Sequence, residues 1–331
     1  HQVAGLGVSA TSAQAPTGTE ASYQEAFDFL ETREVYAIVP LTQNAVVHQT
    51  LLTHVTSMSA PEEKSERAGI VNSAAMTNQA NTAVISGTAG TATDANPFSQ
   101  TQVDFLTEGV AINDVLQVAG QTGPYTLPNS AGTGWLVAGA IAAGSLDVTV
   151  TGGNLPVGGG YPNTLGAWSI IRPGAAITTT AQRAQALADL ADGYSSRRFL
   201  HVVPPQCEMS VDGVATLLPG YYLACAIAGM TGDRNPEQGF TNLPMAGFLA
   251  ARGSNDTFSS SQLDLIAGGG NYIVIQEVSG GPLFARHQLT TDTSTVEYRE
   301  WNITKQLDYT AKFLRAAVSP YIGVFNITPA F

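Results

Sequence analysis

ASYQEAFDFLETREVYAIVP (21–40) carries two periodicities in one short stretch. In its first half Tyr23, Ala26, Phe27 and Leu30 recur at the spacing of a helix face, with Ser22 placed to cap the first turn. Its second half, EVYAIVP (34–40), is a short β-rich run. An amphipathic helix feeding directly into a buried strand is half of a βαβ unit, so the stretch predicts an α/β fold. Helical spacing returns over 44–58 through Val47, Leu51, Leu52 and Val55. Pro61 and a solvated charge cluster interrupt it, and 68–71 reads as a second short strand. In doubly wound sheets the loop after such a strand is where function usually sits, but no nucleophile paired with a base is readable here, and a surface loop is expected.

Composition breaks near Asn72, beyond which charge nearly vanishes and Thr, Gly, Ala and Asn dominate through Gly160. Short strands separated by Gly, Asn and Pro turns are expected within 103–118, 134–141 and 145–150. The α/β pattern resumes with a helix over 178–190, a strand over 198–203 and a helix begun by Pro219. A polar loop (231–244), a helical turn (259–266), a strand (271–278) opened by Gly268 to Gly270, a strand around 283–287 and a helix late in 298–318 complete it. One pattern resuming after an interruption argues for insertion into a single domain. The expected division is a flexible leader, 1–20, with His1 read as a tag residue, an α/β core of 21–75 and 165–331, and a β-rich insert, 76–164. No internal repeat is visible.

Only 12% of the residues are charged against 44% hydrophobic, a balance suited to a surface later covered by neighbours. The net charge of −12, with only 14 Lys and Arg, opposes binding to nucleic acid, whose affinity rests on basic residues releasing counterions, and to anionic membranes. No apolar run approaches the roughly 20 residues of a membrane span, and no basic-then-apolar signal opens the sequence. A soluble protein made in a cytoplasm is expected. Cys207 and Cys225, each in an apolar segment, read as buried free thiols.

The residues able to carry chemistry do not converge in the sequence. His48 and His54 are six apart, which places them on opposite helix faces, whereas a zinc-binding helix needs a spacing of about four. His201 sits in an apolar strand, as a satisfied core or interface residue does. His287 stands beside Arg286 and near Asp292, a common grouping with no catalytic specificity. AGGGNYIV (267–274) precedes its strand, the reverse of the order in a phosphate-binding loop, and reads as a tight turn with positive φ. Glu62 with Glu63, and Glu297 with Glu300, read as solvated carboxylates. No GxSxG elbow is present. No catalytic, cofactor or metal residue is therefore expected, and no enzyme activity.

Two longer stretches bring a family into view. DGVATLLPGYYLACAIAGMTGDRNPEQGFTNLPMAG (212–247) resembles the contractile tail-sheath proteins of bacteriophages, in which a "LPGYYLAAAIAG" helix precedes a loop of the form "P…Q.GLTN.P". GGNYIVIQEVSGGPLFARHQLTTDTSTVEYREWNITKQLDYTAKFLR (269–315) resembles the strand that ends in "RH.LTTDTS" and continues into "E.RE…T…D". EVYAIVPLTQN (34–44) and FLTEGVAINDVLQV (105–118) are similar to earlier parts of the same family, so the likeness spans about 22–328.

The resemblance implies an α/β core of subtilisin-like topology without catalytic residues, carrying β-rich insertions. It implies a virion subunit assembled in the host cytoplasm into hexameric rings around a tail tube, meeting the baseplate, and contracting by rigid sliding and rotation to drive the tube through the host envelope. Family members usually continue past the position of Phe331 into a domain whose arm adds a strand to a neighbour's sheet. The chain alone is accordingly expected to be monomeric. A capsid-like or adhesin-like binding protein and a cryptic α/β hydrolase are the other two readings.

Overall fold

The computed structural model describes residues 19–78, 81–88, 90–92, 97–99, 105, 107–127, 133–138, 147–151, 155 and 163–321; the leader lies almost wholly outside them. The chain forms two compact units, one built from the residues up to Ala75 and from Ala184 onward, the other from Met76–Arg183.

The first unit is organised on a sheet ordered Ala37–Ile38, Ala68–Asn72, Phe199–Val203, Asn271–Ile275, Leu283–His287, Pro244–Met245. The first four strands run parallel and the last two antiparallel. All residues of Ala68–Asn72 and Phe199–Val203 are buried, as in parallel strands covered on both faces. On one face Ile70, Leu200, Val202, Tyr272 and Val274 pack with Leu223, Ala224, Ile227, Phe240 and Trp301. On the other, Val71 and Phe199 pack with Phe27, Val47, Leu51, Val55 and Tyr194.

The helices are α1 (Glu20–Glu31), α2 (Ala45–Met58), α3 (Thr180–Asp192), α4 (Tyr221–Asp233), α5 (Ser260–Gly268), α6 (Val296–Arg299) and α7 (Trp301–Val318); α1, α2, α4 and α7 supply most of the side chains packed on the sheet, and Tyr194 and Phe240 come from outside the helices. Their starts follow from short polar side chains. The Ser22 N–H donates to Thr19 Oγ1 at 3.2 Å, so Thr19, and not Ser22, caps α1. Asn44 caps α2, and Ser259 with Gln262 forms a capping box at α5. Pro219 does not begin α4: it ends the Val214–Pro219 strand, and the helix starts at Tyr221 after Gly220.

That strand belongs to a hairpin absent from the sequence reading. Gln206–Val211 pairs with Val214–Pro219 across Asp212 and Gly213, both at positive φ (52° and 80°), the left-handed pair that an Asp-Gly turn supplies. Phe248–Arg252 pairs on the other side of Gln206–Val211. In the glycine run, Gly268 ends α5 and Gly270 alone has positive φ (86°).

The second unit is an antiparallel sheet ordered Asn163–Leu165, Gly90–Ala92, Pro97–Ser99, Asp147–Thr151, Thr133–Val137, Val115–Val118, Trp168–Arg172, Thr82–Gly87, with Tyr125–Thr126 beside Thr133–Val137. Phe98, Phe105, Leu116, Trp135 and Trp168 fill its core, with the Phe98 and Trp168 rings edge-on at 4.9 Å. Asp114, almost wholly buried, accepts from Arg172 Nε and Nη2, each at 2.9 Å. The unit continues past the boundary of 164 because Trp168–Arg172 pairs with both Val115–Val118 and Thr82–Gly87. Within 103–118 only Val115–Val118 is a described strand, since 107–109 form a turn.

Candidate functional site

The carboxyl ends of parallel strands are where α/β proteins usually place their chemistry. Here that position is filled by a buried amide. Asn72 Nδ2 donates to Val202 O (2.7 Å) and Pro204 O (2.8 Å), and its Oδ1 accepts from Gln43 Nε2 (2.6 Å). Gln43 Nε2 also donates to Pro205 O at 2.9 Å. The Asn72 side chain therefore ties strand ends and loops together with both amide hydrogens engaged.

Beside it, three side chains that the sequence reading did not connect lie in a row. His201 is opposite Val71 on one neighbouring strand and Asn271 on the other. Its Nδ1 meets Asn271 Oδ1 at 2.5 Å and its Nε2 meets Ser73 Oγ at 2.9 Å. Asn271 Nδ2 donates to Leu187 O and Ile266 O, which turns Oδ1 toward the imidazole. Nδ1 then carries the hydrogen and Nε2 accepts from the Ser73 hydroxyl.

A serine, a histidine base and an orienting amide are the parts of an activated nucleophile. The surroundings weaken the base. His201 has no exposed surface, and burial, only partly offset by Asn271, pushes its pKa down to about 4. A base so weak is mismatched to proton abstraction near neutral pH. The row instead joins three adjacent strands to the α3 and α5 carbonyls.

The other histidines have separate partners. His48 contacts Thr42 O (3.1 Å) and the Tyr194 hydroxyl (3.3 Å), and burial, reinforced by His201, lowers its pKa to about 4 despite the Thr42 carbonyl. His54 Nε2 accepts from Arg67 Nη1 at 2.8 Å, and burial with the Arg67 charge lowers it to about 4. His287 pairs with Glu300 at 2.7 Å and not with Asp292, which accepts from the Ser294 N–H and hydroxyl within its own turn. Glu62 and Glu63 are exposed in the turn after α2, as is Glu297 at the start of α6. Cys207 is buried, with its thiol pushed up to about 12 by burial, whereas Cys225 on α4 is only half-buried; both are free.

A cleft of about 380 Å³ lies on this unit, lined by the polar or charged Asp264, Asn271, Arg286, His287 and Arg299 and by Ala267, Gly268, Ile273 and Leu289. Among the described residues no grouping of His, Cys, Asp and Glu could hold a metal ion. No described helix is long and apolar enough to cross a membrane.

The most unusual surface is that of α7. Trp301, Thr304, Lys305 and Asp308 are buried, while Lys312 and Arg315 reach back to Glu34 (3.6 Å) and Glu66 (2.5 Å). Lys305 Nζ sits 3.9 Å from the centre of the Phe240 ring and donates to Gln238 O. The basic and acidic residues from Lys305 to Arg315 thus face the protein. Leu307, Tyr309, Phe313, Leu314 and Val318 are each more than half exposed. The helix is inverted relative to an ordinary surface helix.

No family model and no curated protein sequence matches the chain. Solved structures similar to it include the sheath tail protein of Desulfitobacterium hafniense, at 12% identity over 73% of this chain and 66% of that one, with a TM-score of 0.34. The sheath tail protein of Listeria innocua is 11% identical over 90% of this chain and 80% of that one, with a TM-score of 0.31. The contracted helical sheath of the anti-feeding prophage is 14% identical over 45% of each chain, also at 0.31. The chain spans just under two thirds of the Desulfitobacterium protein and less than half of the prophage one.

Proposed function

We propose that the chain is a structural subunit of a contractile tail sheath, with an α/β core of subtilisin-like topology and no enzymatic role. The observation that carries this reading is the outward face of α7, where Leu307, Leu314 and Val318 present an apolar, uncharged surface. Exposed contiguous apolar surface marks an interaction site, and a subunit covered by neighbours in a repeating assembly has a use for one. The motifs at 212–247 and 269–315 give the kind of assembly. On this reading copies join in hexameric rings around a tail tube, meet the baseplate, and move as rigid bodies when the sheath contracts. Assembly takes place in the host cytoplasm and the finished subunit resides in the virion tail.

Electron microscopy of the purified chain, with and without Leu314→Glu, tests the proposal. Rings or tubes that the substitution abolishes support it. Particles of one subunit at every concentration, identical in both proteins, count against it.

A further inference from the structure

We propose that the cleft between α5 and the Leu283–His287 strand is a binding site for a carboxylate with an apolar body. The site is independent of the sheath reading: two arginines and an apolar lining carry it.

Arg286 spends one guanidinium nitrogen on Asp264 Oδ1 at 2.6 Å, and Asp264 is largely exposed. No other partner of the Arg286 guanidinium is found among the described residues. Arg299 makes no described side-chain hydrogen bond, and its Nε is buried without a partner. The Nε of Arg67 and of Arg183 are also buried without a partner, so what sets Arg299 apart is that its part-buried guanidinium lines the cleft with no described hydrogen bond. His287 lines the same cleft, with its Nε2 already on Glu300. Two arginines against one aspartate in the lining leave the cleft with a positive balance, in a chain with 14 basic residues against 26 acidic ones.

The ligand's chemistry follows from that lining. A guanidinium fork matches a carboxylate through two parallel N–H donors, which a single ammonium cannot do. The apolar lining of Ala267, Ile273 and Leu289 offers nothing polar to a fully hydrated anion, and a volume of about 380 Å³ is that of a small-molecule site and not of an inorganic ion. The C-terminus of α5 borders the cleft and its carbonyls would repel an anion. Two of them are occupied: Leu265 O accepts from the Gly269 N–H and Ala267 O from the Gly270 N–H. The arginines then set the sign of the site.

The carboxylate can come from a free organic acid or from an acidic side chain of a second copy, and one titration series separates the sources. Benzoate is titrated into the full chain with benzamide as the uncharged control, followed by amide chemical shifts and by sedimentation at several protein concentrations. Saturable benzoate binding is expected, weakened at least tenfold by Arg286→Gln and by Arg299→Gln, with none for benzamide. Arg286→Gln removes only a surface ion pair, so it remains a usable test if Arg299→Gln perturbs folding. Benzoate that also dissociates self-associated chains identifies a second copy as the source, whereas binding without that effect identifies a free acid. No saturation, equal binding of benzamide, or unchanged affinity in Arg286→Gln defeats the proposal.

Discussion

Arg198 and Asp308 meet through two parallel hydrogen bonds, Nη1 to Oδ2 at 2.5 Å and Nη2 to Oδ1 at 2.7 Å, with both side chains largely buried. The Tyr36 hydroxyl donates to the same carboxylate at 3.0 Å. Arg198 immediately precedes the Phe199–Val203 strand and Asp308 lies midway along α7, so the pair fixes which face of that helix turns inward. The outward apolar stripe is the geometric remainder of this contact.

Asp308→Ala is predicted to destabilise the chain by about 3–5 kcal/mol, because it leaves Arg198 charged, buried and unpaired. Arg198→Met with Asp308→Leu should recover most of the loss, since the pair's desolvation disappears with it. Urea unfolding of the three proteins is the check. An unchanged midpoint in Asp308→Ala would show that the helix is held by its apolar contacts alone.

Stability is predicted to fall as pH drops from about 6.5 toward 4. His48 and His201 are neutral when buried, with folded pKa values of about 4 against an ordinary value of 6.5. The unfolded chain binds protons first, so the stabilisation is complete above 6.5 and drains as pH approaches the folded values. The loss per histidine is up to about 3 kcal/mol by pH 4. Thermal unfolding at pH 7.0, 6.0 and 5.0 isolates the histidines from most carboxylates. A flat profile across that range would contradict the assignment, and His201→Asn should reduce the slope.

Ser73 is predicted to be a structural donor. Ser73→Ala should lower stability by about 1–3 kcal/mol by stranding the buried His201 Nε2. A fluorophosphonate probe should leave Ser73 unlabelled at neutral pH. Stoichiometric labelling at Ser73, lost in His201→Asn, would instead make the row an active nucleophile.

The helix-to-strand stretch 21–40 and the strands at Ala68–Asn72, Phe199–Val203 and Asn271–Ile275 were legible because apolar periodicity is a local property. The Asp212-Gly213 hairpin was missed although its turn signal stood in the sequence; the LLPGYY run beside it drew the reading toward a helix begun by Pro219. Strands such as Thr82–Gly87 and Asn163–Leu165 lack alternation strong enough to stand out among Thr, Gly and Ala. The Ser73–His201–Asn271 row joins residues 128 and 70 positions apart, and no spacing rule reaches that far. The direction of α7 was hidden for a different reason. Amphipathic patterning shows that a helix has two faces, and the apolar one is assumed to turn inward unless a buried ion pair such as Arg198–Asp308 turns it outward.

Leu307, Ala311, Leu314 and Val318 follow the i, i+4, i+7, i+11 spacing of a helix-packing seam, while Tyr309 and Phe313 are exposed on a separate side of the helix. Leu307, Leu314 and Val318, each more than half exposed, leave a contiguous apolar strip along the helix in water. Lys305, Asp308, Lys312 and Arg315 turn toward the protein, so the strip itself brings no like charges into direct contact, although each copy carries a net charge of −12. The chain is therefore expected to associate as its concentration rises, against the expectation of a monomer drawn from sequence. Leu314→Glu should abolish the association while changing unfolding free energy by no more than about 0.5 kcal/mol, because the side chain makes little use of the folded core. Sedimentation velocity across a hundredfold range of concentration, beside urea unfolding, gives both quantities. A wild-type chain that stays at 34.4 kDa throughout would mean that the face is not used by copies of this chain.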